Sequence, residues 1–186
     1  MAKNIIVVNQ KGGVGKSLVA DEIAFSFERS GIPLSFYDMD SQGGTTHKSI
    51  DTPGAEVAVI DTPGALQSEL KTWLEASDLV VVPTRTTSRE FDILRRMIKI
   101  IDSYPEIPAV FVLNAVNRFK ICAEFREWFK TQAEGRTVYM LPQSEAFVQA
   151  TAYGKSVVEY APRSKAAKQT VEMANGIRRM LGFEEE

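Results

Sequence analysis

A short apolar run, followed at once by a glycine-rich segment and a helical pattern, most constrains the fold of this chain. Ile5 to Val8 has the composition of a buried strand, and the segment Lys11 to Ser17 (KGGVGKS) carries three glycines. After it, Val19, Ile23 and Phe27 recur every four residues on one helical face. Glycines between a strand and a helix let backbone N–H groups point inward, as an anion-binding loop requires. The order strand, loop, helix predicts an α/β domain with a phosphate-binding loop.

The alternation of apolar runs and amphipathic stretches continues along the whole chain. Five further strands are predicted, at Leu34 to Tyr37, Val57 to Ile60, Leu79 to Val82, Ala109 to Leu113 and Thr137 to Met140. Helices are predicted at Lys16 to Ser30, Gln67 to Glu75, Ser88 to Ser103, Ile121 to Gln132, Ser144 to Thr151 and Ser164 to Leu181. Strands that are apolar on both faces and separated by helices form a mostly parallel, doubly wound sheet with helices on both faces. We therefore predict a single α/β domain over residues 1–186.

Composition narrows the class of protein. The chain has 186 residues with 22 Lys and Arg against 24 Asp and Glu, so a uniformly basic nucleic-acid binder is excluded. A hydrophobic fraction of 44% excludes a disordered chain. Cys122 is the single cysteine, so neither an internal disulfide nor an iron–sulfur cluster held by this chain's cysteines can form. With no signal-like segment and no apolar run of about 18 residues, a cytoplasmic protein is expected.

The glycine-rich segment carries the residues expected to hold a triphosphate. Lys16 can reach the β- and γ-phosphates, and the Ser17 hydroxyl can ligate Mg²⁺. Gln10 stands where the ordinary phosphate-loop pattern has its first glycine, and a second lysine, Lys11, follows it. The nucleotide-binding candidates are Gly12, Gly13, Val14, Gly15, Lys16, Ser17 and Leu18.

Two carboxylate motifs come directly after predicted strands. Asp38-Met39-Asp40 ends the second strand, where the alternation of side chains lets both carboxylates face one cavity. Asp61 follows the third strand and opens the tetrapeptide DTPG, as expected of a carboxylate fixed near a metal by a buried strand. The same tetrapeptide begins at Asp51 without an apolar run before it, and there it predicts only a β-turn.

The segments KGGVGKS, DMDSQGG and DTPG together resemble the deviant Walker A ATPases of the ParA/MinD family. The resemblance implies ATP and Mg²⁺ as cofactors and a homodimer in the ATP state. It also implies that Lys11, Lys16 and Asp40 are catalytic: Lys11 reaches the phosphates held by the other subunit, and Asp40 orients the attacking water. By the same resemblance, the magnesium candidates are Ser17, Asp38 and Asp61, and the nucleotide-sensing switch is Asp61, Thr62, Pro63 and Gly64.

The interval between Asp40 and Asp61 is about twenty residues, which is shorter than the family's usual interval with its additional helix and strand. We therefore expect a sheet shortened between the second and third strands, with the possible loss of a strand. Ser41 replaces the family's usual proline after the second carboxylate. Both carboxylates of the motif remain in place.

The resemblance also implies where the base and DNA would bind. Asn114, Pro142 and Gln143 follow the later strands, where the family contacts adenine, although each also suits an ordinary turn. The stretch Gly154 to Ala167 resembles the C-terminal segment of ParA proteins. Basic residues cluster near the end of the chain, as either a solvated helix face or a surface for the DNA backbone. The DNA-contact candidates are Arg163, Lys165, Lys168, Arg178 and Arg179.

Three functions are compatible with this pattern. The first is a nucleoid-associated ParA-type partition ATPase that binds DNA non-specifically and is stimulated by a ParB-type partner, without an N-terminal regulatory domain and so without repressor activity. The second is a MinD-like, membrane-cycling regulator of division-site placement. That function needs an amphipathic C-terminal helix, and Glu184 to Glu186 would be repelled by anionic lipid, so no stable membrane association is expected. The third, an amide synthetase or ligase, fits the two-lysine loop poorly.

Overall fold

The computed structural model describes residues 2–41, 43–64, 67–133 and 135–184, and its strands form one parallel sheet. The strands are β1 (Lys3–Val7), β2 (Leu34–Asp38), β3 (Val57–Asp61), β4 (Leu79–Arg85), β5 (Ala109–Val116) and β6 (Thr137–Pro142). The helices are α1 (Lys16–Arg29), α2 (Gln67–Glu75), α3 (Phe91–Ile101), α4 (Lys120–Gln132), α5 (Glu145–Ala152), α6 (Val157–Tyr160) and α7 (Lys165–Met180). A 3₁₀ turn, Ser88–Glu90, precedes α3.

The strand order is β2-β3-β1-β4-β5-β6, and every strand pair is parallel. This confirms the predicted doubly wound α/β fold. β1 lies between β3 and β4, so the chain leaves the centre of the sheet toward one edge and later crosses to the other edge. In open sheets of this kind, ligands bind beyond the carboxyl ends of the strands at the point where the order reverses. The fold therefore places the glycine-rich loop after β1 at that point.

Two apolar layers cover the two faces of the sheet. Ile5 and Val7 of β1 pack in one cluster with α1 and α7, and Ile6 and Val8 pack in the other with α2, α3 and α4. Successive residues of a strand point to opposite faces, so a run without polar interruptions feeds both layers. Cys122 and Phe125 of α4 are also buried. The apolar run at β1 is therefore explained by burial on both sides.

The connection between Asp40 and Asp61 is short, but the sheet keeps all six predicted strands. Within the described part of this connection there is no helix, and its one β-bridge is antiparallel, between Ile50 and Phe36. A turn forms at the DTPG tetrapeptide that begins at Asp51, but one residue later than predicted: the Thr52 carbonyl accepts a hydrogen bond from Ala55 N at 3.0 Å, which closes a turn over residues 52–55. Gln42 of the carboxylate motif lies outside the described residues. β2 is thus an edge strand, and its free edge pairs at Phe36 with Ile50 of the connection to β3.

Candidate nucleotide site

The glycine-rich loop adopts the geometry of a phosphate cradle. Gly13 and Gly15 have φ values of +72° and +100°, in the left-handed region that favours glycine. Gly15 is the N-cap of α1, so the N-terminus of the helix faces the loop. A cleft of about 310 Å³ opens there. It is lined by Gly12, Gly13, Gly15, Lys16, Ser17, Leu18, Asp40 and Gly43. Of the loop candidates, Val14 is fully buried beneath the cleft.

The loop is held in this shape by Asn114, at the carboxyl end of β5. Its side-chain Nδ2 donates to the Val14 carbonyl at 2.9 Å, and its Oδ1 accepts from the Ala115 amide at 2.8 Å. Ala115 has a φ of +54°, the single non-glycine residue with a positive φ in the described part of the chain. Asn114 is 8% exposed. A buried amide with both ends hydrogen-bonded fixes the loop relative to β5.

Asp61 carries a buried carboxylate at the carboxyl end of β3. The residue is fully buried, and neither carboxylate oxygen has a hydrogen-bond partner among the described residues. Burial raises the pKa of Asp61 to about 6; the nearby Ser17 hydroxyl and the Lys16 charge oppose this rise, and Asp38 and Asp40 add to it. An unpaired buried carboxylate is costly to keep, so its place beside the phosphate cleft indicates that a cation satisfies it.

Magnesium and a nucleotide triphosphate fit these residues. Mg²⁺ is usually bound by one or two protein oxygens together with substrate phosphates and water. Within the described ranges, no group of three His, Cys, Asp or Glu side chains could hold a metal ion by itself, so phosphate and water would complete the ligands of the ion. Asp61 and Ser17 would hold the ion, which would neutralise phosphate charge when bound.

We expect Asp61→Asn to stabilise the nucleotide-free protein. The folded carboxyl keeps its proton up to a pH of about 6, whereas an unfolded one loses it near 3.8, so wild-type stability rises as the pH falls through this interval. At neutral pH the variant should gain about 2–3 kcal/mol, the equivalent of the pKa shift. Urea unfolding at about pH 7.5 and about pH 5 measures both effects. Equal stability of the two proteins at neutral pH would contradict the assignment of Asp61 as an uncompensated charge.

Asp38 is the last residue of β2, and Asp40 follows it on the loop that reaches the same cleft. Asp38 pairs with Asp61 in the β2–β3 register, and its Oδ1 accepts a hydrogen bond from the Asp40 amide at 3.0 Å. Its Oδ2 accepts from the Thr45 hydroxyl at 2.6 Å. Asp40 itself lines the cleft. The structure thus brings the three predicted carboxylates to one end of the sheet, with Asp38 held from both sides.

The DTPG segment lies directly beside the glycine-rich loop. The Thr62 hydroxyl donates to the Val7 carbonyl at 2.9 Å, which ties the segment to the end of β1. A Cβ added to Gly64 would lie 3.6 Å from the Gln10 carbonyl oxygen and 3.9 Å from the Gly12 amide nitrogen. Pro63 is half-buried between Thr62 and Gly64. This proximity is what a segment sensing the nucleotide needs, and the switch role remains a prediction.

Lys11 makes a contact that the sequence pattern did not indicate. Its ammonium lies 2.5 Å from Oε1 of Glu90 in the same chain, and Glu90 is 1% exposed. The Lys11 side chain is 31% exposed to solvent. Glu90 ends the 3₁₀ turn before α3, and its Oε2 has no hydrogen-bond partner among the described residues. In this structure the additional lysine of the loop, Lys11, is therefore held by a buried carboxylate of its own subunit.

The residues predicted to contact the base lie near one another. Asn117 Nδ2 donates to Gln143 Oε1 at 3.0 Å, and the Gln143 amide donates to the Val116 carbonyl at 2.9 Å. Pro142 ends β6 opposite Val116. A cleft of about 240 Å³ lies beside Gln143. Asn114 uses its side chain to hold the glycine-rich loop instead of pointing to that cleft. Base contacts by these residues remain a prediction.

The predicted DNA-contact residues divide into exposed and buried positions. Arg163, Lys165 and Lys168 are exposed at the start of α7, and Arg179 is exposed near its end. The prediction that Arg178 contacts DNA is wrong, because this residue is only 2% exposed. Its guanidinium contacts the Ser26 carbonyl and the Ser30 hydroxyl, and it lies over the Phe27 ring. Arg178 therefore packs α7 against α1 and does not belong to a DNA surface.

Sequence reasoning missed three residues that shape the site. Glu90 holds Lys11, Thr45 holds Asp38, and Asp21 of α1 holds the segment that contains Thr45. A weak signal existed for Asp21, since it lies within a predicted helix between the apolar positions Val19 and Ile23. Glu90 and Thr45 carry no such signal, because their partners are 79 and 7 residues away and only the fold brings them together.

Comparison with known proteins agrees with this geometry. The family model described as "CobQ/CobB/MinD/ParA nucleotide binding domain" matches residues 5–157. The chain belongs to this family. A comparison with curated protein sequences finds no match. The match covers the glycine-rich loop, the carboxylate motifs and the strands that carry them, so the predicted resemblance to the ParA/MinD family is confirmed.

Solved structures show the same fold at low sequence identity. McdA from Cyanothece in complex with ATP superimposes with a TM-score of 0.79 and 14% identity, covering 100% of this chain and 98% of that one. MinD from Pyrococcus horikoshii with Mg-ADP gives 0.75 and 16%, covering 98% of each chain. A plasmid partition protein from Borrelia burgdorferi bound to AMPPNP gives 0.68 and 16%, covering 93% and 98%.

Of the helices in the described ranges, none has the length and apolar character to cross a bilayer.

Proposed function

We propose that this protein is a ParA-type ATPase of DNA partition. It binds Mg-ATP, pairs with a second copy in the ATP state, and in that state binds DNA without sequence preference. A ParB-type partner stimulates hydrolysis of ATP to ADP and phosphate, which separates the pair and releases DNA. The cargo would be a plasmid or another mobile replicon, and the protein would be associated with the nucleoid.

The observation that carries this proposal is the arrangement of α7. Its apolar face, with Met173 and Ile177, is buried in the core against α1 and β6. Lys165 and Lys168 of its first turn are exposed to solvent, as is Arg163 just before the helix. Exposed lysine and arginine on one helix can contact successive phosphates of a duplex.

The same arrangement favours DNA over the MinD-like alternative. A membrane-binding helix inserts its apolar face between lipids, and α7 already uses that face inside the domain. Glu184 is exposed after the helix, whereas Glu185 and Glu186 of the predicted acidic end lie outside the described residues. The structure of a MinD protein is among the similar folds, so membrane binding is the second outcome that an experiment must distinguish.

Charge reversal on α7 tests the proposal. We expect Arg163→Glu/Lys165→Glu/Lys168→Glu to weaken DNA binding in the presence of ATP at least tenfold, and to flatten its salt dependence, because each lost phosphate contact lowers the slope by about one. Fluorescence anisotropy with a labelled duplex of arbitrary sequence, titrated in ATP and in ADP, measures both.

A charge-matched control separates this effect from net charge. Lys71→Glu/Lys120→Glu/Lys130→Glu changes three exposed lysines on other helices by the same amount. The control should bind DNA within about threefold of wild type, since distant surface charges are largely screened. Equal loss in both variants would contradict a specific surface on α7. Sedimentation of the wild type with anionic vesicles in ATP, without DNA binding, would favour the MinD-like function instead.

A further inference from the structure

The segment after the carboxylate motif has no regular structure of its own. Residues 43–47, called the clamped segment below, form neither helix nor strand. A Cβ added to Gly44 would lie 3.5 Å from Ser17 Oγ, so the segment closes over the start of α1. Thr45 of this segment donates to Asp38 and lies 2.9 Å from the His47 carbonyl. What fixes the clamped segment also fixes the Asp38 carboxylate.

Asp21 fixes the clamped segment. This carboxylate is 4% exposed and lies four residues after Ser17 on α1. Its Oδ2 accepts a hydrogen bond from the Thr46 amide at 2.7 Å, and its Oδ1 accepts from the His47 amide at 3.0 Å. His47 Nδ1 lies a further 2.7 Å from Oδ1. Three donors around one buried carboxylate form a strong, directional anchor.

The imidazole of His47 occupies a site built for a cation. Its ring contacts the rings of Phe25 and Phe36, with centroid distances of 4.3 and 5.0 Å. Nε2 lies 3.4 Å from Oε2 of Glu28. The charged groups that face the ring within the described chain are Asp21 and Glu28, both on α1, while β2 contributes an aromatic ring. Burial lowers the pKa of His47, but the hydrogen bond and charge of Asp21 and the charge of Glu28 outweigh it and raise the pKa overall.

We propose that Asp21 and His47 are positioning residues for hydrolysis, which hold the clamped segment so that Thr45 orients the Asp38 carboxylate in the nucleotide site. The inference rests on the proposed ATPase function. Protonated His47 attracts the carboxylates of Asp21 and Glu28, and the neutral ring loses the attraction to Glu28. The attraction of His47 to Asp21 and Glu28 is therefore complete below the ordinary histidine pKa. It weakens as the pH rises through the higher pKa that His47 has in the folded protein.

Kinetics of two variants test the inference. We expect His47→Gln and Asp21→Asn to lower kcat about five- to tenfold while changing the affinity for Mg-ATP by less than about twofold, since neither side chain lines the phosphate cleft. The turnover of the wild type should decline as the pH rises above about 6.5, and His47→Gln should lack this decline. Glu22→Gln is the matched control: this adjacent buried carboxylate holds Ser156 and Val157 instead, and its pH profile should keep the decline.

Proton NMR gives a readout that does not depend on hydrolysis. His47 is the single histidine of the chain, so its ring resonances are unambiguous. We expect the ring to titrate above about 6.5 in the wild type and at a lower pH in Asp21→Asn, where the amide resonances of Gly44 and Thr45 should also shift.

The outcomes separate the inference from the proposed function. Unchanged kcat in both variants, or a loss of kcat matched by an equal loss of nucleotide affinity, would overturn the positioning role. A wild type without ATPase activity would instead overturn the proposed function. In that case, unaltered Gly44 and Thr45 resonances in Asp21→Asn would overturn the inference that Asp21 holds the clamped segment, and shifted resonances would support it.

Discussion

Lys11→Ala is expected to abolish ATP-dependent pairing of two copies of this protein. A triphosphate carries several negative charges, and two copies that meet across it need cations from both sides. Lys16 is buried within its own loop, whereas the Lys11 side chain remains partly exposed at the edge. Lys11 is therefore the lysine of this loop that can reach outward. Analytical ultracentrifugation with Mg²⁺ and a non-hydrolysable ATP analogue should show a shift to dimer for the wild type and monomer for the variant.

The buried Glu90 requires a second variant for this test. Lys11→Ala leaves Glu90 without its counter-charge, which is destabilising on the order of 1–3 kcal/mol. Lys11→Ala/Glu90→Gln removes both charges and should recover stability without recovering pairing. Lys3→Ala breaks the exposed Lys3–Asp78 ion pair and should dimerise like the wild type. If the double variant pairs on the analogue as well as the wild type does, Lys11 has no role across the interface.

Gly15→Ala is expected to weaken nucleotide binding at least a hundredfold. The φ of +100° is strained for any residue with a Cβ, at a cost of about 1–2 kcal/mol. The added Cβ would also collide with the Asn114 side chain, which holds the glycine-rich loop against β5. The loop must then move away from the geometry in which its amides face the phosphates. Isothermal titration with Mg-ATP measures the loss.

Two further variants separate strain from collision. Gly31→Ala places a Cβ at a φ of +67° with nothing within 4 Å, so it should lower stability by about 1 kcal/mol and leave nucleotide affinity unchanged. Gly15→Ala/Asn114→Ala removes the collision and should regain part of the affinity. Full affinity in Gly15→Ala alone would show that the loop conformation seen here is not the one that binds phosphate.

The order of elements and the main site residues were predictable from the sequence. Five of the six strands are apolar runs with β-branched residues, and β2 is an apolar and aromatic run interrupted by Ser35. Such runs supply the two apolar layers on the faces of the sheet. The glycine-rich loop, Asp38 and Asp61 could be found because each lies at the carboxyl end of an apolar run that predicts a strand. Local pattern and parallel topology together place the carboxyl ends of neighbouring strands at one edge, so these residues converge.

Contacts between distant segments were not predictable. Arg178 has the sequence context of a surface cation, yet α7 packs so that its guanidinium is buried against α1. His47 lies in a polar segment and resembles an incidental loop residue, yet Asp21 and two aromatic rings enclose it. The hydrogen-bond partners, Ser26 and Asp21, lie 152 and 26 residues away along the chain, and periodicity carries no information about such pairs.

The sequence by itself determined the fold class, the phosphate-binding loop and the strand-end carboxylates, because local propensity and burial on both faces of a parallel sheet leave little choice. Only the tertiary structure decided which groups hold those residues: Glu90 for Lys11, Asn114 for the glycine-rich loop, and Asp21 for the clamped segment. Hydrogen bonds and ion pairs act over a few ångströms in space, whatever the separation of their partners along the chain.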